Sequence, residues 1–215
     1  MELIKIAIVD DHKMVSSALE NLLSTNPDFE VIMTCPNGDE FLQHLKKGAE
    51  PPEIVLMDVN MPIMNGIETT RELTKNYPQV RVLALTMEDG EDNIIKMLKA
   101  GAKGYLLKDM TSDVLFSAIN TVHKYGYLHA DGTIAESALK VRTEQMEAQS
   151  IIADLKEKEK QLIKLSCTEM TYKEIASVMN LSPKTVDNYR DQLFAKLNVR
   201  SRVGVVMFAL KNNLD

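Results

Sequence analysis

The chain has little cysteine, no long apolar run and, over most of its length, too little basic charge to balance its acid. Its two cysteines among 215 residues, Cys35 and Cys167, lie in apolar segments without metal-ligand spacing, which favours small core residues over a disulfide framework or metal site. No apolar run approaches the ~20 residues that a membrane-spanning helix needs. The amino terminus opens directly on a strand-like segment, so no secretory signal is expected. These absences predict a soluble, cytoplasmic protein with no membrane partner. With 45% hydrophobic and 26% charged residues the composition is globular, and the length suits one or two cores. The 13 methionines are scattered, which favours core filling over a metal-binding cluster.

Charge is divided unevenly. Residues 1–130 hold 12 Lys and Arg against 19 Asp and Glu, residues 131–155 hold 2 against 5, and residues 156–215 hold 11 against 7. The resulting net charges of −7, −3 and +4 point to different partners for the acidic front and the basic tail.

In the front, apolar runs near 4–10, 29–35, 53–59, 81–87 and 104–108 alternate with helical periodicity, as in Ser16 to Leu23, Glu91 to Ala100 and Asp113 to Val122. This predicts a flavodoxin-like, doubly wound, five-stranded parallel sheet. Strand ends in such a sheet converge on one edge, where ligands bind. The first run ends in Asp10-Asp11, the third in Asp58, the fourth in Thr86 and the fifth in Lys108. Three carboxylates crowded together raise one another's pKa unless a cation offsets them, and oxygen-only ligation with open positions suits Mg2+. A hydroxyl and an ammonium at the same edge would hold phosphoryl oxygens. The chemistry suggested is phosphoryl transfer to Asp58.

Residues 127–154 read as a linker with some helix: Asp131-Gly132-Thr133 reads as a turn, and Ile134, Ala138 and Val141 allow a short amphipathic helix. From 155 to 215 the pattern is all helical. Asp154 with Glu157, and Thr171 with Glu174, fit capping boxes, and Ser182-Pro183 sets an N-cap before a first-turn proline. Four helices are expected near 155–166, 172–179, 183–197 and 202–212, the middle pair joined tightly enough for a helix-turn-helix. On the third, Val186, Leu193 and Leu197 form the buried stripe with Tyr189 beside them. Lys184, Asp187, Asn188 and Asp191 face outward, where they can enter a major groove.

These residues carry two family resemblances. Residues 1–126 resemble the receiver domain of bacterial two-component response regulators, with the acidic pair, acceptor Asp58, Met61-Pro62, Gly66, Thr86 and Lys108 all in order. The resemblance implies a sensor histidine kinase as phosphodonor, Mg2+ on Asp10, Asp11, Asp58 and the backbone carbonyl of Asn60, and Tyr105 as an aromatic switch behind Thr86. Residues 155–215 resemble the LuxR-type DNA-binding domain of the NarL/FixJ class through Glu159, Leu165, Lys173-Glu174-Ile175-Ala176, Leu181-Ser182, Thr185-Val186, Lys196-Leu197, Val199 and Arg202. It implies that Lys173, Thr185, Lys196, Arg200 and Arg202 join the reading face in contacting promoter DNA. It also implies a homodimer on phosphorylation, with RNA polymerase as a further partner.

The match has departures. Glu169 stands where the family usually has glycine, Asp187 and Asp191 bring negative charge to the reading face, Met87 follows Thr86 where a small residue is common, and Asp109 replaces a common proline after Lys108. Either Asp187 or Asp191 accepts from cytosine N4, or, as the favoured reading, each is neutralised within the helix by Arg190 or Lys184 and suppresses non-specific binding. Two other classes compete with the DNA-binding regulator: a phosphohydrolase with Asp58 as nucleophile, and a receiver-based interaction module that binds no DNA. The first lacks a second acid/base carboxylate and a substrate cap; the second predicts no salt-sensitive binding to duplex DNA.

Overall fold

A computed structural model of the protein describes residues 3–87, 91–128, 148 and 150–215. The chain divides into two compact units, Met1–Leu128 and His129–Asp215. Of the predicted linker, 129–147 and 149, including the turn at 131–133 and the helix over 134–141, lie outside the described residues. Residues 148 and 150–153 are helical.

In the first unit the strands β1 (Ile4–Val9), β2 (Phe29–Cys35), β3 (Ile54–Asp58), β4 (Arg81–Thr86) and β5 (Gly104–Leu107) alternate with helices α1 (Lys13–Leu23), α2 (Gly38–Lys46), α3 (Gly66–Asn76), α4 (Glu91–Ala100) and α5 (Ser112–Tyr125). All strands pair in parallel in the order β2-β1-β3-β4-β5. The expected flavodoxin-like architecture is present, and the order reverses between β1 and β3, where such sheets open their ligand crevice.

Successive strand side chains point to opposite faces, so each strand feeds two cores. Ile4, Ile6, Ile8, Ile54, Leu56, Leu83 and Leu85 pack with Leu19 and Leu23 of α1 and Leu115, Ile119 and Val122 of α5. Ala7, Val9, Val55, Met57, Val82 and Ala84 pack on the other face with Phe41, Leu73 and Met97 of α2, α3 and α4. With both faces covered, the strands β1, β3 and β4 are largely apolar, and the buried polar groups Asp10, Asp58 and Thr86 stand at their carboxyl ends.

The second unit contains α6 (Glu157–Ser166), α7 (Tyr172–Val178), α8 (Pro183–Leu197) and α9 (Arg202–Lys211). The predicted stops are right to within a residue or so, but the first helix starts later than expected. Its N-cap is Lys156, whose backbone N–H donates to Glu159 Oε2 at 2.7 Å, so Asp154 and Glu157 do not form the predicted box. Thr171 and Glu174 do cap α7 reciprocally, and Ser182 Oγ accepts from the Thr185 N–H at 3.1 Å with Pro183 in the first turn. The core includes Leu162, Ile163, Ile175, Val186, Leu193, Leu197, Val203 and Val206.

Candidate functional site

The carboxyl ends of β1 and β3 bring Asp10 and Asp58 together, 2% and 4% exposed. Lys108, just after β5, reaches between them: its ammonium lies 2.7 Å from Asp10 Oδ2 and 3.1 Å from Asp58 Oδ1. Lys108 also lines an apolar recess with Met14, Leu19, Leu22, Met110 and Leu115. Asp10 Oδ2 receives no well-aligned hydrogen bond, so its partner there is a charge. The Val59 N–H donates to Asp58 Oδ1 at 2.9 Å. Burial raises the Asp58 pKa above its ordinary value; Lys108 and the Val59 N–H pull it down, and Asp10 adds to the rise.

His12, which the sequence reading passed over, belongs to this cluster. Its N–H donates to Asp10 Oδ1 at 2.9 Å, and its Nδ1 lies 3.0 Å from Asp11 Oδ1. Asp10, Asp11, His12 and Asp58 each place a ligand atom within 4.8 Å of the others. Its position immediately after an acidic pair was the available signal. The loop after β3 is held close because the Gly66 N–H donates to the Val59 carbonyl at 3.0 Å. A Cβ on residue 66 would collide with the carbonyl oxygen of Asp58, so glycine is required there by close approach.

Thr86 ends β4 buried beside this cluster, and its carbonyl accepts from the Lys108 N–H at 2.8 Å. Tyr105, half-buried on β5, packs against the core that contains Met97 of α4. Asn60 is exposed in the loop after Asp58. Met87 is 75% exposed, so its bulk lies in solvent. The peptide between Lys108 and Asp109 is trans.

The second unit sorts its charges by partner. Lys173, Lys184, Asn188 and Arg200 are exposed, and Thr185 is half-buried with its Oγ1 2.7 Å from Ser182 Oγ. Arg190 donates to Asp187 Oδ1 at 3.0 Å and to Asp191 Oδ1 at 2.9 and 3.1 Å, and it stacks on Tyr172 at 5.3 Å. Its pKa is raised, chiefly by Asp191.

Family models decide what the two units are. One for the response regulator receiver domain matches residues 6–120, and one for bacterial regulatory proteins of the luxR family matches residues 153–209. The chain is a DNA-binding two-component response regulator of the NarL/FixJ class. It is 33% identical to the transcriptional regulatory protein DegU of Brevibacillus brevis over 97% of this chain and 94% of that protein. It is 30% identical to the oxygen regulatory protein NreC of Staphylococcus epidermidis over 98% of each. Among solved structures it resembles a LuxR-family two-component response regulator from Aurantimonas sp. at 27% identity and a TM-score of 0.55, covering 67% of this chain and 99% of that one. The receiver domain of the putative response regulator NarL from Mycobacterium tuberculosis gives 26% identity and a TM-score of 0.54 over 58% and 99%.

Two of the cations expected at DNA phosphates are engaged within the response regulator's second unit. Arg202 is buried, donating from Nε to the Ser166 carbonyl at 2.9 Å and from a terminal nitrogen to the Thr168 carbonyl at 2.6 Å. It ties the start of α9 to the turn after α6. Lys196 donates to the Asp154 carbonyl at 2.7 Å and to Glu159 Oε2 at 3.0 Å. Both matched the family pattern as cations, and sequence carries no mark separating a cation used inward from one left for DNA. No helix among the described residues is long and apolar enough to cross a membrane.

Proposed function

We propose that this response regulator accepts a phosphoryl group on Asp58 from the phosphohistidine of a cytoplasmic sensor-kinase domain and thereby gains affinity for promoter DNA. The observation that carries the reading is the meeting of Asp10, Asp58 and Lys108 within 3.1 Å. The Asp58 carboxylate attacks phosphorus, the N–P bond breaks, and the leaving imidazole takes up a proton. Desolvation raises the Asp58 pKa and makes the carboxylate a stronger nucleophile, and the Lys108 ammonium offsets part of that rise.

The donor set suits Mg2+. Asp10, Asp11 and Asp58 cluster, the Lys108 ammonium pairs with two of them, and the buried oxygens Asp10 Oδ2 and Asp11 Oδ1 lack aligned donors, so a hard divalent cation would satisfy both charge and coordination. Asp10, Asp11, Asp58 and the Asn60 carbonyl would hold it, and when bound it would offset charge on the phosphoryl oxygens. Thr86 and Lys108 would hydrogen-bond those oxygens only in the phosphorylated form, each charge-assisted bond contributing ~1.5–3 kcal/mol. Tyr105, paired across from Ala84, would follow Thr86 inward and favour a homodimer. In the DNA-binding domain, Lys173, Lys184 and Arg200 supply phosphate contacts and Asn188 meets bases, with RNA polymerase as a later partner.

Intact-mass measurement after acetyl phosphate and Mg2+ treatment is expected to show one phosphate on the wild type and none on Asp58→Asn. An adduct persisting in the variant would move the acceptor elsewhere. Thr86→Ala should still be phosphorylated but dimerise less with beryllofluoride; an undiminished response would refute the Thr86 route. Binding to duplex DNA should weaken with salt by a log–log slope near −0.9 per phosphate contacted, and Lys173→Ala should flatten it. Absence of binding at low salt would refute the DNA contacts.

A further inference from the structure

Two carboxylates on a DNA-facing helix stand against the electrostatics of the task, because the phosphate backbone repels them. In α8 these carboxylates are organised. Asp187 and Asp191, with side chains 51% and 67% exposed, share the guanidinium of Arg190. Arg190 commits three nitrogens to them and lies over the Tyr172 ring of α7. Each carboxylate spends Oδ1 on this clamp, which leaves Oδ2 without a protein donor among the described residues. The result is two acceptors held in place, with their charge partly offset, on the face that also carries exposed Lys184 and Asn188.

An ionised carboxylate is an acceptor only. In the major groove, guanine offers O6 and N7 and thymine O4, all acceptors that a carboxylate repels; adenine sets its N6 donor beside the N7 acceptor; cytosine alone offers an isolated N4 donor. Asp187 and Asp191 stand four residues apart, ~6 Å along the helix, so they address separate base pairs. We propose that Asp187 and Asp191 read cytosine, each accepting a hydrogen bond from an N4 amino group, and that Arg190 is the positioning residue that holds both for this purpose. The inference rests on the reading that α8 enters the major groove.

The test is selection of random duplexes by the full chain with beryllofluoride, followed by sequencing and by affinity measurements on the selected site. The wild type should enrich a motif with two columns in which cytosine is preferred by about tenfold. Asp187→Asn and Asp191→Asn, similar in shape to the native side chains, should each flatten one column or turn it to adenine, leaving the other columns intact. Arg190→Gln should flatten both, and adding it to Asp191→Asn should cost the Asp191 column nothing more. Arg190→Lys should recover part of the preference. A purely structural Arg190 would weaken every column alike. Identical motifs for wild type and both Asp→Asn variants would overturn the proposal, as would variants that bind random and selected duplexes more tightly by one common factor. If the wild type retains duplexes at low salt yet enriches no sequence, the cytosine reading fails while DNA binding stands; if it retains none, groove binding fails with it.

Discussion

Replacing Lys108 by Met keeps the length of an apolar stem but removes the cation shared by Asp10 and Asp58. The three side chains are 4%, 1% and 6% exposed, so water does little to screen what is left. At an effective dielectric of ~20, contacts at 2.7 and 3.1 Å correspond to about 6 and about 5 kcal/mol of gross attraction. Desolvation of the ammonium cancels much of this, and removing one partner of a buried pair typically costs ~3–5 kcal/mol because the remaining charge is left uncompensated. We therefore expect Lys108→Met to lose about 3 kcal/mol in the receiver's unfolding transition, a large share of a domain's ordinary ~5–15 kcal/mol. The same vacancy of positive charge should favour a divalent cation. Mg2+ at about 100 times its Kd would return ~2.7 kcal/mol, and it should stabilise the variant more than the wild type, where Lys108 competes for the same carboxylates. Urea unfolding of the full chain followed by far-ultraviolet circular dichroism, in EDTA and in MgCl2, reads both effects. A variant as stable as wild type in EDTA, or equal gains from Mg2+ in both proteins, would refute the account of Lys108 as the pocket's resident cation.

Three further outcomes are expected. Ile63, 82% exposed and held at φ 68°, is a β-branched residue in the left-handed region, so Ile63→Asn should raise receiver stability by about 1 kcal/mol; a lowered melting temperature would count against strain there. Arg202→Ala should destabilise the DNA-binding unit by about 3 kcal/mol by orphaning the Ser166 and Thr168 carbonyls, and Arg202→Lys should not restore it; urea unfolding decides, and a fully stable variant would return Arg202 to the set of free cations. Burial pushes the Glu159 pKa up, but the Lys156 N–H and Lys196 outweigh it and hold it below its ordinary 4.5. Stability from a lowered carboxylate is present above the unfolded value and lost as pH falls through the folded one, so the second unit should weaken as pH falls below the ordinary 4.5, less so in Glu159→Gln. Parallel pH profiles for the two proteins would refute this.

The sequence by itself determined the alternation of strands and helices, since apolar runs covered on both faces and amphipathic periods are local patterns. It also placed Asp10, Asp58, Thr86 and Lys108 at strand ends, and a parallel sheet brings strand ends to one edge whatever the loops do. The cap at Thr171–Glu174 and the turn at Ser182-Pro183 were legible for the same reason, because each closes within a few residues. Tertiary structure alone decided what each charge faces. Lys196 and Arg202 match the family pattern as cations, yet partners 34 to 42 residues away in the chain turn one onto α6 and bury the other against the turn that follows it. The helix expected to begin after a cap at Asp154 begins later because Glu159 reaches back to Lys156 while Lys196 joins it from α8. His12 joined the acidic cluster, and Arg190 became the clamp of Asp187 and Asp191 with Tyr172 beneath it. Electrostatic partners are set by distance in space, and short-range sequence patterns carry that information only where the chain turns back within a helical turn.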